Sequence, residues 1–181
     1  MRYDVIIIGG GLAGLTAGVE ILRAGRTCCC VSEGLSLHQV PIAEYIALGG
    51  VYLCGDSAAD SEWDGDVLKC IYTRNLEGTR LEAEHFILAT GKFFSRGLVS
   101  DMDGIREPLF GADVEYEPDM DKWYDNDFYA PQPFESFGVR TFEGRVLIGG
   151  VPSANLYAAG EILPGNVDIT KSALEVCRRI L

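Results

Sequence analysis

The residues whose types and spacing say most about chemistry are Gly9, Gly11 and Gly14, set as G-x-G-x-x-G in Gly9-Gly10-Gly11-Leu12-Ala13-Gly14. An apolar β-branched run, Val5 to Ile8, precedes them, and Leu12 to Ala24 follow with helical periodicity. At this spacing the glycines have separate roles. Gly9 permits a tight turn out of a strand, Gly11 lets the backbone approach a pyrophosphate, and Gly14 lets the helix pack closely on the sheet. The helix opens at Leu12 and Ala13, where unpaired amides and the positive dipole end face the phosphates. A second apolar run, Arg26 to Ser32, ends at Glu33, 19 residues past Gly14. A carboxylate there can accept hydrogen bonds from a ribose hydroxyl and disfavours a 2′-phosphate. Strand, turn, helix, strand and acid together predict a dinucleotide site.

The elements that must hold this site follow in order. Leu12, Leu15, Val19 and Leu22 fall near one stripe of the first helix, and Gly25 suits its C-cap. A loop is expected over Gly34 to Gln39, then a short helix over Pro41 to Leu48, ended by Gly49-Gly50, and a third strand over Val51 to Cys54. The acidic, polar run Asp56 to Asp66 reads as a solvated loop, and Val67 to Arg74 with Thr79 to Glu82 as a β-hairpin. A buried strand, His85 to Gly91, ends in Ala89-Thr90-Gly91. The last helix is expected over Ser172 to Leu181.

The composition bounds the function. With 181 residues, 48% of them hydrophobic and 22 of them glycine, the chain reads as a single α/β domain with many tight turns. A formal net charge of −12 argues against a nucleic-acid surface or broad contact with anionic lipid. No stretch is long enough to span a membrane, and the chain opens on a strand rather than a charged leader, so a cytoplasmic location is expected. The six cysteines, three of them consecutive in a strand, fit buried reduced thiols better than disulfides or a zinc or iron–sulfur site. The acids from Asp113 to Asp127 lack regular ligand spacing, so no metal site is expected.

Two later motifs sharpen the cofactor. The chain resembles flavoproteins with two dinucleotide-binding domains, in which an apolar strand after a meander ends in Ala-Thr-Gly and a late strand ends in Ala-Gly-Glu. Here Ala89-Thr90-Gly91 and Asn155-Leu156-Tyr157-Ala158-Ala159-Gly160-Glu161 occupy those places. The resemblance implies an α/β, Rossmann-like FAD/NAD(P)-binding domain with a parallel central sheet and a small β-meander. It further implies cofactor contacts from Ala89, Thr90, Gly91, Gly160 and Glu161, with the acid on the ribityl or phosphate part of a flavin. A nicotinamide-dependent oxidoreductase is the runner-up.

Residues 92–141 form an irregular, aromatic-rich insertion. Three of the motifs in and beside it are Gly91-Lys92-Phe93-Phe94-Ser95-Arg96-Gly97-Leu98, Gly104-Ile105-Arg106-Glu107-Pro108-Leu109-Phe110-Gly111 and Asp127-Phe128-Tyr129-Ala130-Pro131-Gln132-Pro133-Phe134. With the opening Met1-Arg2-Tyr3-Asp4, these resemble the family of the B subunit of anaerobic glycerol-3-phosphate dehydrogenase. That resemblance implies oxidation of sn-glycerol 3-phosphate to dihydroxyacetone phosphate, with electrons passing to a respiratory acceptor. It also implies association with a catalytic flavoprotein, the A subunit, and a membrane-associated iron–sulfur protein, the C subunit. The chain would then be peripheral to the inner face of the cell membrane through a partner. The residues favour FAD, since FMN has neither a pyrophosphate nor a second ribose; FMN is the family's alternative. Relative to that family, a long segment between about residues 38 and 46 and a glycine-rich start to the last helix are absent. A non-catalytic flavin-binding or assembly module is therefore the alternative function.

Hydride transfer from a secondary alcohol needs a base, a donor near the flavin ring, and cations for the substrate phosphate. Lys92, Arg96, Arg106 and Arg140 are the candidate cations, and His38 the candidate base. His85 begins a core strand and reads as structural. The aromatic residues Trp123, Tyr124, Phe128, Tyr129, Phe134 and Phe137 read as local packing.

Overall fold

The computed structural model describes residues 1–34 and 38–181. The first half runs β1 (Arg2–Ile8), α1 (Leu12–Arg23), β2 (Cys28–Ser32), α2 (Gln39–Ala47), β3 (Val51–Cys54), β4 (Ala58–Asp64), β5 (Val67–Thr73) and β6 (Leu81–Leu88). The second half adds the short strands β7 (Val99–Asp101), β8 (Gly104–Arg106), β9 (Val114–Glu115), β10 (Gly138–Val139) and β11 (Thr141–Phe142), then β12 (Arg145–Ile148), β13 (Val151–Ala158) and α3 (Ile169–Ile180). The expected loop over Gly34 to Gln39 lies partly outside the described residues.

The main sheet has the order β11-β12-β13-β6-β1-β2-β3, and β13, β6, β1, β2 and β3 are parallel. From β1 the chain moves outward through β2 to β3, then returns to place β6 on the other side of β1. The strand order therefore reverses between β1 and β6, and a crevice opens at the carboxyl ends of strands where this happens. Backbone hydrogen bonds carry the ladder past the strand ends: Gly9 N donates to Val31 O at 2.9 Å, Ala89 N to Ile8 O at 2.8 Å, and Ala159 N to Leu88 O at 3.0 Å. The three turns are thereby fixed side by side.

Alternation along the strands divides the core. Val5, Ile7, Cys28, Cys30 and Ile87 face α1, α2 and α3, while Ile6, Ile8, Cys29, Phe86 and Leu88 face the meander and residues from the long irregular segment. The three consecutive cysteines split between the faces, and burial pushes the Cys28 and Cys29 thiols up to about 12. Cys54 departs from the expected burial, since it is exposed at the end of β3. α2 is pinned by the fully buried Tyr45, whose hydroxyl lies 3.0 Å from both Cys28 O and Val51 O.

Besides α2, which begins two residues before the expected Pro41 and ends one residue before Leu48, three elements differ from the sequence reading. The run Asp56 to Asp66 is largely β4, paired antiparallel with β5 through a turn at Gly65. Its acids sit on the outer face, where Glu62 pairs with Arg80 at 2.8 Å, while Trp63 packs edge-on to Phe110, so a half-exposed strand carries a loop's composition. The expected arm Thr79 to Glu82 and the buried strand from His85 are one strand, β6, which meets β5 only at its start and runs parallel to β1. α3 begins three residues earlier than expected because Asp168 caps it, accepting from Lys171 N at 2.9 Å. The aromatic segment is divided: Trp123 and Phe137 are buried against each other, whereas Tyr124, Phe128 and Tyr129 are exposed.

Asn155 replaces strand pairing where β5, β6 and β13 diverge. Its Oδ1 accepts from Leu68 N at 2.8 Å, and its Nδ2 lies 2.9 Å from Leu68 O and 3.1 Å from Glu84 O. Asn155→Leu leaves buried backbone groups unpaired and is expected to cost about 1–3 kcal/mol in a urea denaturation curve. An unchanged midpoint would show that the bridge contributes nothing.

Candidate functional site

The first glycine turn is built by exclusion. Gly9 has φ +113°, and a Cβ there would overlap the Ala89 carbonyl; a Cβ on Gly14 would overlap the Gly9 carbonyl. The turn after β1 is thus pressed between the turn after β6 and the first helix. Gly11 differs, because a Cβ built on it meets nothing within 4 Å. Its backbone faces open space.

That space is a cleft of about 800 Å³ at the carboxyl ends of β1 and β6, within the usual range for a cofactor or ligand pocket. α1 points its start into it. No side chain caps Gly11 and no acid stands in the first turn, so the amides near Leu12 and Ala13 keep an uncompensated positive end. Ala89, Thr90 and Gly91 form the floor, and Glu161 lies on the third turn. Gly160, φ +81°, sits behind Glu161; a Cβ there would come 2.5 Å from that of Ala13, and its amide donates to Ser172 Oγ of α3 at 2.9 Å. Gly14 and Gly160 therefore shape the cleft from behind rather than lining it.

At the other end, Glu33 is exposed in the cleft wall. Its position is fixed by its neighbour Gly34, whose carbonyl accepts from Ser32 Oγ at 2.9 Å and Tyr52 Oη at 3.1 Å. His38 also lines this end.

The candidate cations separate. Arg96 lines the cleft, with no ion pair among the described residues. It has φ 60°, a left-handed conformation that is roughly 1–2 kcal/mol unfavourable for a residue with a Cβ. Lys92 lies outside the cleft lining and donates from Nζ to the Glu135 carbonyl. Burial pulls its ammonium below the usual lysine value, against the opposing charges of Glu161 and Glu135. Arg106 is on the surface, paired with Asp101 at 3.2 Å, and Arg140 is exposed away from the cleft. The structure does not bring these two to the other candidates.

Several lining residues had no sequence signal. Asp56, 5% exposed, accepts from Ser57 N at 2.8 Å and Asn75 N at 3.1 Å, tying the meander to the cleft beside Arg74. Glu107, 2% exposed, accepts from Phe110 N at 2.7 Å and Leu109 N at 2.9 Å. Burial pushes its carboxyl above the usual range, and those backbone amides work against the shift. Only its burial among apolar neighbours could have marked it, and composition does not show that. His85 is half-buried, edge-on to Tyr157 at 5.9 Å, and desolvation holds it below the ordinary histidine value.

The residues present fit a dinucleotide: an open glycine at a helix start, a carboxylate one strand away, and a cleft long enough to reach a third turn. The family described as FAD binding domain matches residues 4–40 and 35–172, and the chain belongs to that family. Its curated relatives are more particular. It is 36% identical over 133 residues to the B subunit of anaerobic glycerol-3-phosphate dehydrogenase from Yersinia enterocolitica, covering 73% of this chain and 31% of that protein. It is 35% identical over 158 residues to the corresponding B subunit from Pectobacterium atrosepticum, covering 82% of this chain and 37% of that protein. The chain thus spans about a third of the length of these relatives. In structure it is similar to an oxidoreductase from Agrobacterium tumefaciens, with TM-score 0.63, 12% identity, and 99% and 97% of the two chains covered, a likeness of fold.

Gly9 and Gly11 can be distinguished experimentally. Gly9→Ala is expected to destabilise the fold by more than about 1 kcal/mol, since φ and space both forbid the methyl group. Gly11→Ala should stay within about 0.5 kcal/mol of the parent while lowering FAD affinity at least about tenfold. Thermal melts and FAD titrations check both; equal FAD affinity in Gly11→Ala would contradict a close approach there.

Proposed function

We propose that this chain holds FAD along the cleft and serves, with partner subunits, in oxidising sn-glycerol 3-phosphate to dihydroxyacetone phosphate. The observation that carries the reading is the convergence of the three glycine turns, after β1, β6 and β13, on one cleft. In this reading the chain is one flavin-binding unit, with 92–141 as an insertion. The A and C subunits are the partners, and electrons leave to a respiratory acceptor by way of them. In this reading any association with a membrane runs through a partner; no helix among the described residues is long and apolar enough to cross one.

FAD, when bound, supplies the hydride acceptor. The chain's own groups do the rest. Amides at Leu12 and Ala13, with the exposed backbone of Gly11, take the diphosphate. Glu33 accepts from the adenosine ribose, and Glu161 from the flavin-side polyol. Ala89, Thr90 and Gly91 let the cofactor lie against backbone rather than side chains. Lys92, beside Glu161, offsets part of the negative charge that an anionic cofactor adds to an acidic cleft. His38 lies at the Glu33 end of the cleft, which in this reading is the adenosine end, so a role as base is not part of the proposal.

A second reading, a flavin-binding module without turnover of its own, is favoured by the placement of the candidate groups, since Arg106 and Arg140 lie away from the cleft and His38 lies at its Glu33 end. Anaerobic addition of sn-glycerol 3-phosphate to the reconstituted protein separates the two. Bleaching of the flavin band by the chain alone supports turnover within it, and bleaching only when the catalytic partner is present supports the module. No bleaching in either mixture contradicts the proposed reaction.

A further inference from the structure

The loop that follows the second glycine turn contains a conformational cost with no structural return. Arg96 N donates to Phe93 O at 3.1 Å and Gly97 N to Lys92 O at 2.9 Å. This is the pair of bonds that closes a helical turn on a left-handed residue, a position at which glycine is the ordinary choice. Gly97 cannot be exchanged into the role, because a Cβ on it would overlap the Gly91 carbonyl. Arginine instead stands at the left-handed position, with φ 60°.

Its side chain supplies no pairing among the described residues to offset that cost. Arg96 is exposed, and no hydrogen bond or ion pair from its guanidinium occurs among the described residues. Elsewhere in this acidic chain an arginine can find a carboxylate, as Arg80 does with Glu62 and Arg106 with Asp101. Arg96 lines the cleft instead. Of the acids lining the same cleft, Glu107 is already engaged by the amides of Leu109 and Phe110. A strained backbone held for the sake of a cation at a ligand cleft points to a ligand anion.

We propose that Arg96 is a phosphate-recognising residue of the cleft, retained at a left-handed position because its planar fork binds phosphate oxygens. The proposal rests on the reading of the cleft as a cofactor and substrate site. The shared chemistry is a phosphate group, present in both the diphosphate of FAD and the phosphate monoester of the substrate. A guanidinium suits either, since it can donate two parallel hydrogen bonds to one phosphate.

The test uses the full chain as purified and its variants Arg96→Gly and Arg96→Lys. Melting temperature, FAD affinity, and the affinities of the reconstituted protein for sn-glycerol 3-phosphate and inorganic phosphate are measured. Arg96→Gly is expected to melt no lower than the parent, because glycine relieves the backbone, while losing about 10- to 100-fold in phosphate-ligand affinity. Arg96→Lys should fall between, keeping the charge and losing the fork. Loss toward glycerol 3-phosphate and inorganic phosphate with FAD retained assigns the contact to the substrate; loss toward FAD assigns it to the cofactor. Unchanged affinity for all three ligands overturns the proposal. So does a lower melting temperature with parallel losses, which would mean that Arg96 serves the fold. Failure of the parent to bind FAD would refute the cofactor reading alone, and the comparison with inorganic phosphate would still decide the role of Arg96.

Discussion

The structure depends on one close contact between two backbone turns, Gly9 after β1 against Ala89 after β6. With no room for a Cβ between them, the carboxyl ends of two adjacent parallel strands meet at van der Waals distance. The first helix then starts directly over the join. Gly14 and Gly160 extend the same logic, the one letting α1 settle on the Gly9 turn and the other letting the third turn settle on Ala13. Where the turns meet, the cleft is bounded by backbone, and Glu33 and Glu161 also line it.

The two faces of the sheet divide the labour. Helices α1, α2 and α3 cover one face and support the turns, while the meander and the irregular segment cover the other and build the cleft walls. A stretch with so little regular structure thereby contributes to the core. Leu98, Ile105, Phe110, Trp123 and Phe137 are buried in the core of that second face. Asp56 and Glu107 then use buried carboxylates to hold loops in place, satisfying amides that a strand or helix would otherwise satisfy.

The glycine turns, the parallel order of β1 and β2, and the acid at Glu33 were legible from sequence because local rules fix them: a left-handed or crowded backbone position requires glycine, and a βαβ unit sets the distance to the next strand end. β4 was not, because the outward-facing acids of a half-exposed strand have the composition of a loop. Nor was the unity of β6, whose first residues alternate while its last are buried on both faces. The cleft positions of Arg74 and Asp56 depend on how the meander folds back over the sheet, and that of Glu107 on the path of the irregular segment. Among Lys92, Arg96, Arg106 and Arg140, one family-like segment contains both a cleft residue and one outside it, so motif membership alone could not tell them apart.

Titration of the cofactor-free chain with FAD, FMN and ADP measures the central claim most directly, that the cleft is shaped for a dinucleotide from the ribose carboxylate at Glu33 to the third turn at Glu161. The account predicts one FAD per chain, competition by ADP, and FMN binding at least about tenfold weaker because it cannot engage the Glu33 end. FMN binding as tight as FAD, without competition by ADP, would contradict it.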